Sequence, residues 1–300
     1  MSQKTHAHIG LLLTNLFFAI NVSIIKYFTS NNYAGPFGLN IIRVGVSTLC
    51  FWLLYISAKQ KPHIEKKDYL RLILCALAAL AINQMLFMKG LSYSYSIHVS
   101  LLLLITPILI TLIASRMLKE RITVLKIIGL ILGISGAIIL ISSGNNTGKG
   151  TNVLLGDSLV ILSAFSYTFY FILVKPLMFK YGPIPVTRWV FTLGFFMILP
   201  LGWQEFTRIT WHHLSSFDYF LMFLLVIPGT FLAYLFNVYG IKILSASVAG
   251  TYIYLQPVFA ISIAMIFLNE RLELYKIVAA LLIFCGVYLA NRRVKNSKSS

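Results

Sequence analysis

The sequence predicts an all-α polytopic membrane protein, with ten transmembrane helices arranged as two inverted five-helix repeats. Three observations carry this prediction. Apolar blocks of about 20 residues recur along the chain, each long enough to cross a hydrocarbon core of roughly 30 Å as a helix. Landmarks recur at a constant offset of 150 residues, so that 106–121 is repeated by 256–271. Lysine and arginine gather in the segments that alternating spans would place on one side of a membrane.

Composition agrees. The chain is 58% hydrophobic and only 11% charged, with a mean hydropathy of +0.84, whereas a soluble domain carries about 25% charged residues. The net charge of +17 does not point to nucleic acid, because the basic residues sit in short loops and at span ends. Cys50, Cys75 and Cys285 lie inside apolar segments at no metal-ligand or redox spacing, and they imply no disulfide. Nothing in the sequence calls for a cofactor or a metal. Residues 1–8 precede an apolar run that lacks a small-residue cleavage site and reads as an uncleaved first helix.

The spans follow in order. The first, 8–28, carries Asn21; the second, 36–58, opens on Pro36 and contains Arg43; the third, 69–91, carries Asn83 and Gln84 at its middle. The fourth, 96–118, contains His98 and Pro107, and the fifth, 124–143, has the small-residue stripe Gly129, Gly133 and Gly136. The sixth, 157–177, contains Tyr170, and the seventh, 184–203, is entered through Pro183 and Pro185. The eighth, 218–241, holds Pro228, Tyr234 and Asn237; the ninth, 246–268, holds Tyr252, Gln256 and Pro257; the tenth is 274–292. Prolines at span starts cost little, whereas Pro107, Pro228 and Pro257 are expected to kink their spans. The segment 144–156 links a first repeat, 1–143, to a second, 157–300.

The 150-residue offset also pairs Asp68 with Asp218, Gly90 with Gly240, Lys126 with Lys276 and Gly136 with Gly286. Five spans per repeat is an odd number, so the second copy must enter the membrane facing the opposite way. Basic residues agree: the 59–71 loop contains Lys59, Lys61, Lys66, Lys67 and Arg71, while its repeat mate, 204–217, has only Arg208. The bias expects both termini in the cytoplasm and a multi-pass protein of the cytoplasmic membrane.

Pro107 with Glu120-Arg121 in one half, and Pro257 with Glu270-Arg271 in the other, resemble the EamA branch of the drug/metabolite transporter superfamily. The segments Phe18-Ala19-Ile20-Asn21 and Tyr167-Thr168-Phe169-Tyr170 match its first and sixth spans more loosely, and Phe18-Ala19 stands where members often carry Trp-Gly. The resemblance implies secondary transport of a small metabolite, commonly export of amino acids or related compounds, without ATP hydrolysis.

Inverted repeats place substrate near the bilayer midplane between the halves. Polar side chains at that depth are Gln84 and Tyr234, which are repeat equivalents, with Asn83, Asn237, Tyr252 and Gln256; His98, Asn21 and Tyr170 add polarity from other spans. Such residues also bond neighbouring helices for about 0.6–2 kcal/mol, so a packing role stands beside the functional one. Arg43 is the basic residue deepest within a span, where charge marks either a site or a helix–helix contact. Lys26 and Lys175 are expected to snorkel to headgroups, Tyr27, Tyr33 and Tyr55 to anchor the interface, and Glu120, Arg121, Glu270 and Arg271 to stabilise turns. The glycine stripe permits close approach within one chain or between two, leaving monomer and homodimer open.

Partners expected are lipid and a small-molecule substrate. A membrane-embedded enzyme is the first alternative, but the sequence has no HExxH, GxSxG or Walker motif. A channel is the second. No Asp or Glu occupies the middle of a span, so the expectation is movement down the substrate gradient, with His98 the one histidine inside a span that could exchange protons near neutrality.

Overall fold

The computed structural model describes residues 3–57, 62–106, 109, 113, 124–142, 151–244, 252, 255–269 and 271–291, and among them it contains helices and no strand. An apolar run in a bilayer has little alternative to the helix, because each backbone N–H and C=O must be satisfied within the segment. The helices are α1 (Gln3–Ser30), α2 (Pro36–Ile56), α3 (Lys66–Tyr93), α4 (Ser96–Leu102) and α5 (Val124–Ser142). They continue as α6 (Val153–Tyr181), α7 (Pro183–Thr207), α8 (Ser216–Val226, extended by Ile227–Leu232 and Ala233–Leu244), α9 (Leu255–Phe267) and α10 (Leu274–Asn291). By length and composition α1, α2, α3, α6, α7 and α8 can each cross a membrane, and α9 and α10 contain shorter apolar helices. Large apolar side chains such as Leu53, Phe196, Phe223 and Leu281 cover the outer wall, as lipid requires. Most of the second half of the fourth span and the start of the ninth lie outside the described residues, as do Pro107, Glu120, Arg121 and Glu270.

Local chemistry sets several boundaries. Pro36 and Pro183 open α2 and α7, where the missing N–H has no intrahelical partner to lose. Gly182, with φ of 80°, lets α6 turn straight into α7 through the left-handed region. Ser215 and Asp218 form a reciprocal capping box at the start of α8. Pro176 and Pro200 lie inside α6 and α7, and Pro257 sits in the first turn of α9.

Two π-helical segments interrupt the bundle, Leu77–Ile82 in α3 and Ile227–Leu232 in α8. They stand 150 residues apart, so the duplication extends to a local irregularity. Pro228 helps to explain the second, since it cannot donate to the helical ladder; α3 adopts the same wide turn without a proline.

Helix pairing follows the duplication. α2 packs on α7, α5 on α10, α1 on α8 and α3 on α6. Tyr27, near the end of α1, donates to Asp218 at the start of α8, so these two helices are antiparallel. Tyr181, at the end of α6, donates to Asp68 at the start of α3, making that pair antiparallel too. Lys26 of α1 binds the carbonyls of Leu91, Ser92 and Ser94 at the end of α3, so α1 and α3 run together. The repeat equivalents α1 and α6 therefore run in opposite directions. The glycine stripe of α5 is consumed within the chain, because a Cβ on Gly286 of α10 would lie 2.6 Å from the Gly129 carbonyl oxygen and 2.6 Å from the Gly133 nitrogen.

Burial is divided between two apolar cores. One joins Val22, Phe28, Met88, Leu91, Ile97 and Leu225 toward the Asp218 end. The other joins Val44, Phe51, Leu72, Met85, Leu177 and Phe191 toward the Asp68 end.

Candidate functional site

The two cores meet between Leu39 and Val44 on α2, between Met85 and Met88 on α3, and between Ala164 and Tyr170 on α6. Polar side chains from α1, α2, α3, α6 and α8 fill this seam.

Arg43 is its charged member and is 5% exposed. Its Nε donates to Thr230 Oγ1 at 3.1 Å, and its Nη1 lies 3.3 Å from Met88 Sδ. The Thr230 hydroxyl in turn donates to the Leu225 carbonyl at 2.9 Å, a bond across the widened π turn. Thioether sulfur is a weak acceptor, and Nη2 has no hydrogen-bond partner among the described residues. The described acids are engaged or placed elsewhere: Glu65 and Asp68 on Lys180, Asp157 on His98, Glu205 on the start of α2, Asp218 on Tyr27, and Glu273 just before α10. A guanidinium held in an apolar interior without a counter-ion among the described residues is costly, and here it joins α2 to α3 and α8 through Met88 and Thr230.

One turn beyond Thr230, the Tyr234 hydroxyl faces the Gln84 amide and lies close to Arg43. Gln84 and Tyr234 thus meet across the seam, as their repeat equivalence suggests. Tyr167 and Tyr170 of α6 stand beside them, and Phe18 and Phe191 pack edge-on against the Tyr234 ring. Tyr167 and Tyr234 lie deep among protein atoms yet are only half-buried. Interior side chains keep accessible surface only where a space adjoins them, so the seam is a lined cavity.

Two buried amide oxygens point into this region without a hydrogen-bond partner, Gln84 Oε1 and Asn21 Oδ1. Asn21 is oriented by its Nδ2, which donates to the Gly229 carbonyl at 2.5 Å. Gly229 is required there, since a Cβ would overlap the Asn21 amide. A comparable contact is made by Ser166, whose hydroxyl donates to the Ala78 carbonyl at 2.7 Å. In each half, the first helix of one repeat thus caps a carbonyl at the π segment of the other.

Other expected site residues fall elsewhere. Asn83 donates to the Ser163 carbonyl at 2.8 Å, joining α3 to α6. Tyr252 bonds His8 Nδ1 at 2.7 Å near the start of α1; His8 lies ten residues before Phe18, about 15 Å along the helix. Gln256 and Asn237 are half-buried on α9 and α8, and Arg271 is exposed. His98 is fully buried against Asp157. Lys26 turns inward to the end of α3 instead of snorkelling, because the last turn of a helix offers carbonyls that lack intrahelical donors. Tyr55 stacks on Arg188, whose Cζ is 3.5 Å from the ring centroid.

The two ends are closed by related contacts. At one, Tyr27 donates to Asp218 at 2.9 Å. At the other, Tyr181 donates to Asp68 at 2.6 Å, and Lys180 bridges Asp68 at 2.8 Å and Glu65 at 2.6 Å. Hydrogen bonding from Lys180 holds the Glu65 carboxyl below its ordinary range, and the bonds that Lys180 donates to Asp68 and Glu65 raise its ammonium. Tyr27 reads from sequence as a membrane anchor, and only the pairing of antiparallel helices reveals the contact it shares in kind with Tyr181.

A polar seam between two halves, with related contacts at its two ends, fits an inverted-repeat carrier. Similar proteins agree. An uncharacterized transporter of Archaeoglobus fulgidus is 23% identical over 98% of this chain and 99% of its own length. A probable terminal-alkyne amino-acid exporter of Streptantibioticus cattleyicolor is 26% identical over 86% of this chain and 85% of its own. A solved crystal structure superposes with a TM-score of 0.63 at 16% identity, covering 99% of this chain and 100% of that one, which shows a shared fold. The model of the EamA-like transporter family matches twice, over residues 5–142 and 154–292, and the chain belongs to that family.

Proposed function

We propose that the protein exports a small amino acid or related carboxylate-bearing metabolite from the cytoplasm, by alternating access of the seam cavity between its two inverted repeats. The observation that carries this reading is the donor and acceptor set of the cavity. Arg43 supplies a cation with an unused Nη2, and Gln84 Oε1 and Asn21 Oδ1 are buried acceptors without partners. A carboxylate answers the first and an ammonium the other two, since buried polar groups demand partners. Phe18, Tyr167 and Phe191 offer an aromatic wall to an apolar side chain. The protein sits in the cytoplasmic membrane with both termini inside, on the basic-residue asymmetry of its loops, so the Asp68 end faces the cytoplasm and the Asp218 end faces outward.

Proteoliposomes given labelled L-phenylalanine or L-leucine, each beside its carboxamide, test this reading. The acids should be carried and the amides, which lack the carboxylate, should not. Arg43→Gln should lower transport by about ten- to a hundredfold, the loss of one charge-assisted hydrogen bond of about 1.5–3 kcal/mol, while Arg43→Lys retains part of it. Equal transport of acids and amides would overturn the assignment.

A further inference from the structure

We propose that Arg188, walled by Trp52, Tyr55 and Trp189, binds the phosphate of an anionic phospholipid in the leaflet at the Asp68 end. The site lies apart from the seam and requires no particular substrate. Arg188 is the sixth residue of α7, about 7.5 Å along the helix from its start, and Tyr55 stands in the last turn of α2. Tryptophan and tyrosine gather at that depth because it is the level of lipid headgroups. Leu53 and Ile56, beside Tyr55, are exposed on the outer wall.

The guanidinium is packed among rings. Its Cζ is 3.5 Å from the centroid of Tyr55, 4.3 Å from that of Trp52 and 5.2 Å from that of Trp189. Trp52 is oriented by the bond that its Nε1 donates to Thr192 Oγ1 at 3.0 Å, and Trp189 by edge-on packing on Tyr69. Ring faces attract the charge but offer no lone pair to its N–H groups. The Tyr55 hydroxyl, also beside it, can accept from one of them. Arg188 is 4% exposed, and its Nε has no hydrogen-bond partner among the described residues. The charges described at this end leave it without a counter-ion. Glu65 pairs with Lys67 and Lys180, and Asp68 with Lys180, so two carboxylates are matched by two lysines. Arg188 stands in excess, with the exposed Lys66 and Arg71.

The duplication points the same way. The 150-residue offset makes Tyr55 the equivalent of Glu205, and Arg188 that of Gly38. At the Asp218 end Glu205, near the end of α7, accepts from the backbone N–H groups of Phe37 and Gly38 at 2.6 and 3.2 Å, so the α2–α7 contact there holds its own carboxylate beside the start of a helix. At the Asp68 end the same two helices carry a phenol in place of the carboxylate and a guanidinium in place of the glycine, and the first turn of α7 has no acid. A phosphate suits this end. The planar fork of a guanidinium meets two phosphate oxygens, and the nearby start of α7 favours negative charge. A phospholipid also brings acyl chains to the apolar wall formed by Leu53 and Ile56. A zwitterionic headgroup holds its own cation beside the phosphate, so the excess positive charge selects an anionic one. On the orientation proposed above this is the cytoplasmic leaflet, whose surface is negative.

Tryptophan fluorescence reads the lipid at this position. In the full chain with Trp203→Phe and Trp211→Phe, Trp52 and Trp189 beside Arg188 are the two tryptophans left. The protein is placed in phosphatidylcholine bilayers that contain a small fraction of lipid brominated near the headgroup end of its chains. Brominated phosphatidylglycerol should quench as if bound about tenfold more tightly than brominated phosphatidylcholine, the worth of one charge-assisted hydrogen bond. Arg188→Gln should abolish the preference and Arg188→Lys keep part of it, whereas Arg71→Gln, which removes an exposed charge at the same end, should leave it intact. The preference should also persist in inorganic phosphate at unchanged ionic strength. Equal quenching by the two lipids in the parent would overturn the site, whether or not the variants fold. So would a preference lost equally in Arg71→Gln, which would mean a diffuse surface charge, or one abolished by inorganic phosphate, which would assign Arg188 to a free anion. None of these outcomes depends on counterflow, so the transport reading stands or falls separately.

Discussion

Asn21 and Gly229 touch so closely that a methyl group on the glycine has no room. Gly229→Ala should therefore displace the Asn21 amide and lower stability by about 1–3 kcal/mol, the usual cost of overpacking. Asn21→Ala should cost about 0.6–2 kcal/mol, the worth of one interhelical hydrogen bond. Thermal unfolding in detergent measures both, and an unchanged midpoint in Gly229→Ala would contradict the contact. Individual residues were unevenly legible in the sequence. Arg43 stood out because a cation in an apolar run has few explanations, and Gln84 with Tyr234 because the repeat pairs them. Asp157 and Lys26 did not, because a charge at the edge of an apolar run reads as an interface residue until neighbouring helices are known to cover it. The orphan oxygens of Asn21 and Gln84 follow from orientations that only the packed structure sets.

Helices α3 and α6 are held at the Asp68 end by an ionic contact, whereas α1 and α8 at the Asp218 end are joined by Tyr27 and a carboxylate with no lysine between them. The two ends should differ in their response to salt and pH. Lys180→Gln, or a rise to about 0.5 M salt, which shortens the screening length to a few ångström, should speed labelling of Ile64→Cys, buried in the parent, severalfold. The lowered Glu65 carboxyl makes its share of the contact present above its unfolded value near 4.3 and lost as pH falls through the still lower folded value. The raised Lys180 ammonium makes its share present below about 10.4 and lost as pH rises through its folded value. Between those limits labelling should be insensitive to these two groups; a strong change there would contradict the assignment. At this scale hydropathy located the apolar runs, and Pro36 and Pro183 marked two starts. The π segments were not legible, because Leu77–Ile82 carries no breaker, and Pro228 announces a distortion without its kind.

Across the whole molecule, the offset of 150 residues foretold which helices are equivalent, and the odd number of spans per repeat foretold that α1 and α6 run in opposite directions. What neither could supply was which helix of one half seats on which helix of the other, since apolar faces are interchangeable in sequence and are sorted only by shape and by contacts such as Asn21 on Gly229. That pairing creates a cavity between two cores with a related closure at each end, and the central claim is that the ends open in turn. Counterflow tests this most directly. Proteoliposomes loaded with unlabelled L-phenylalanine or L-leucine and diluted into a trace of the same labelled compound should show a transient accumulation of label above its equilibrium level, reduced about ten- to a hundredfold in Arg43→Gln. Label that rises smoothly to equilibrium with no overshoot, in the parent protein, would mean an open pore and would contradict the account.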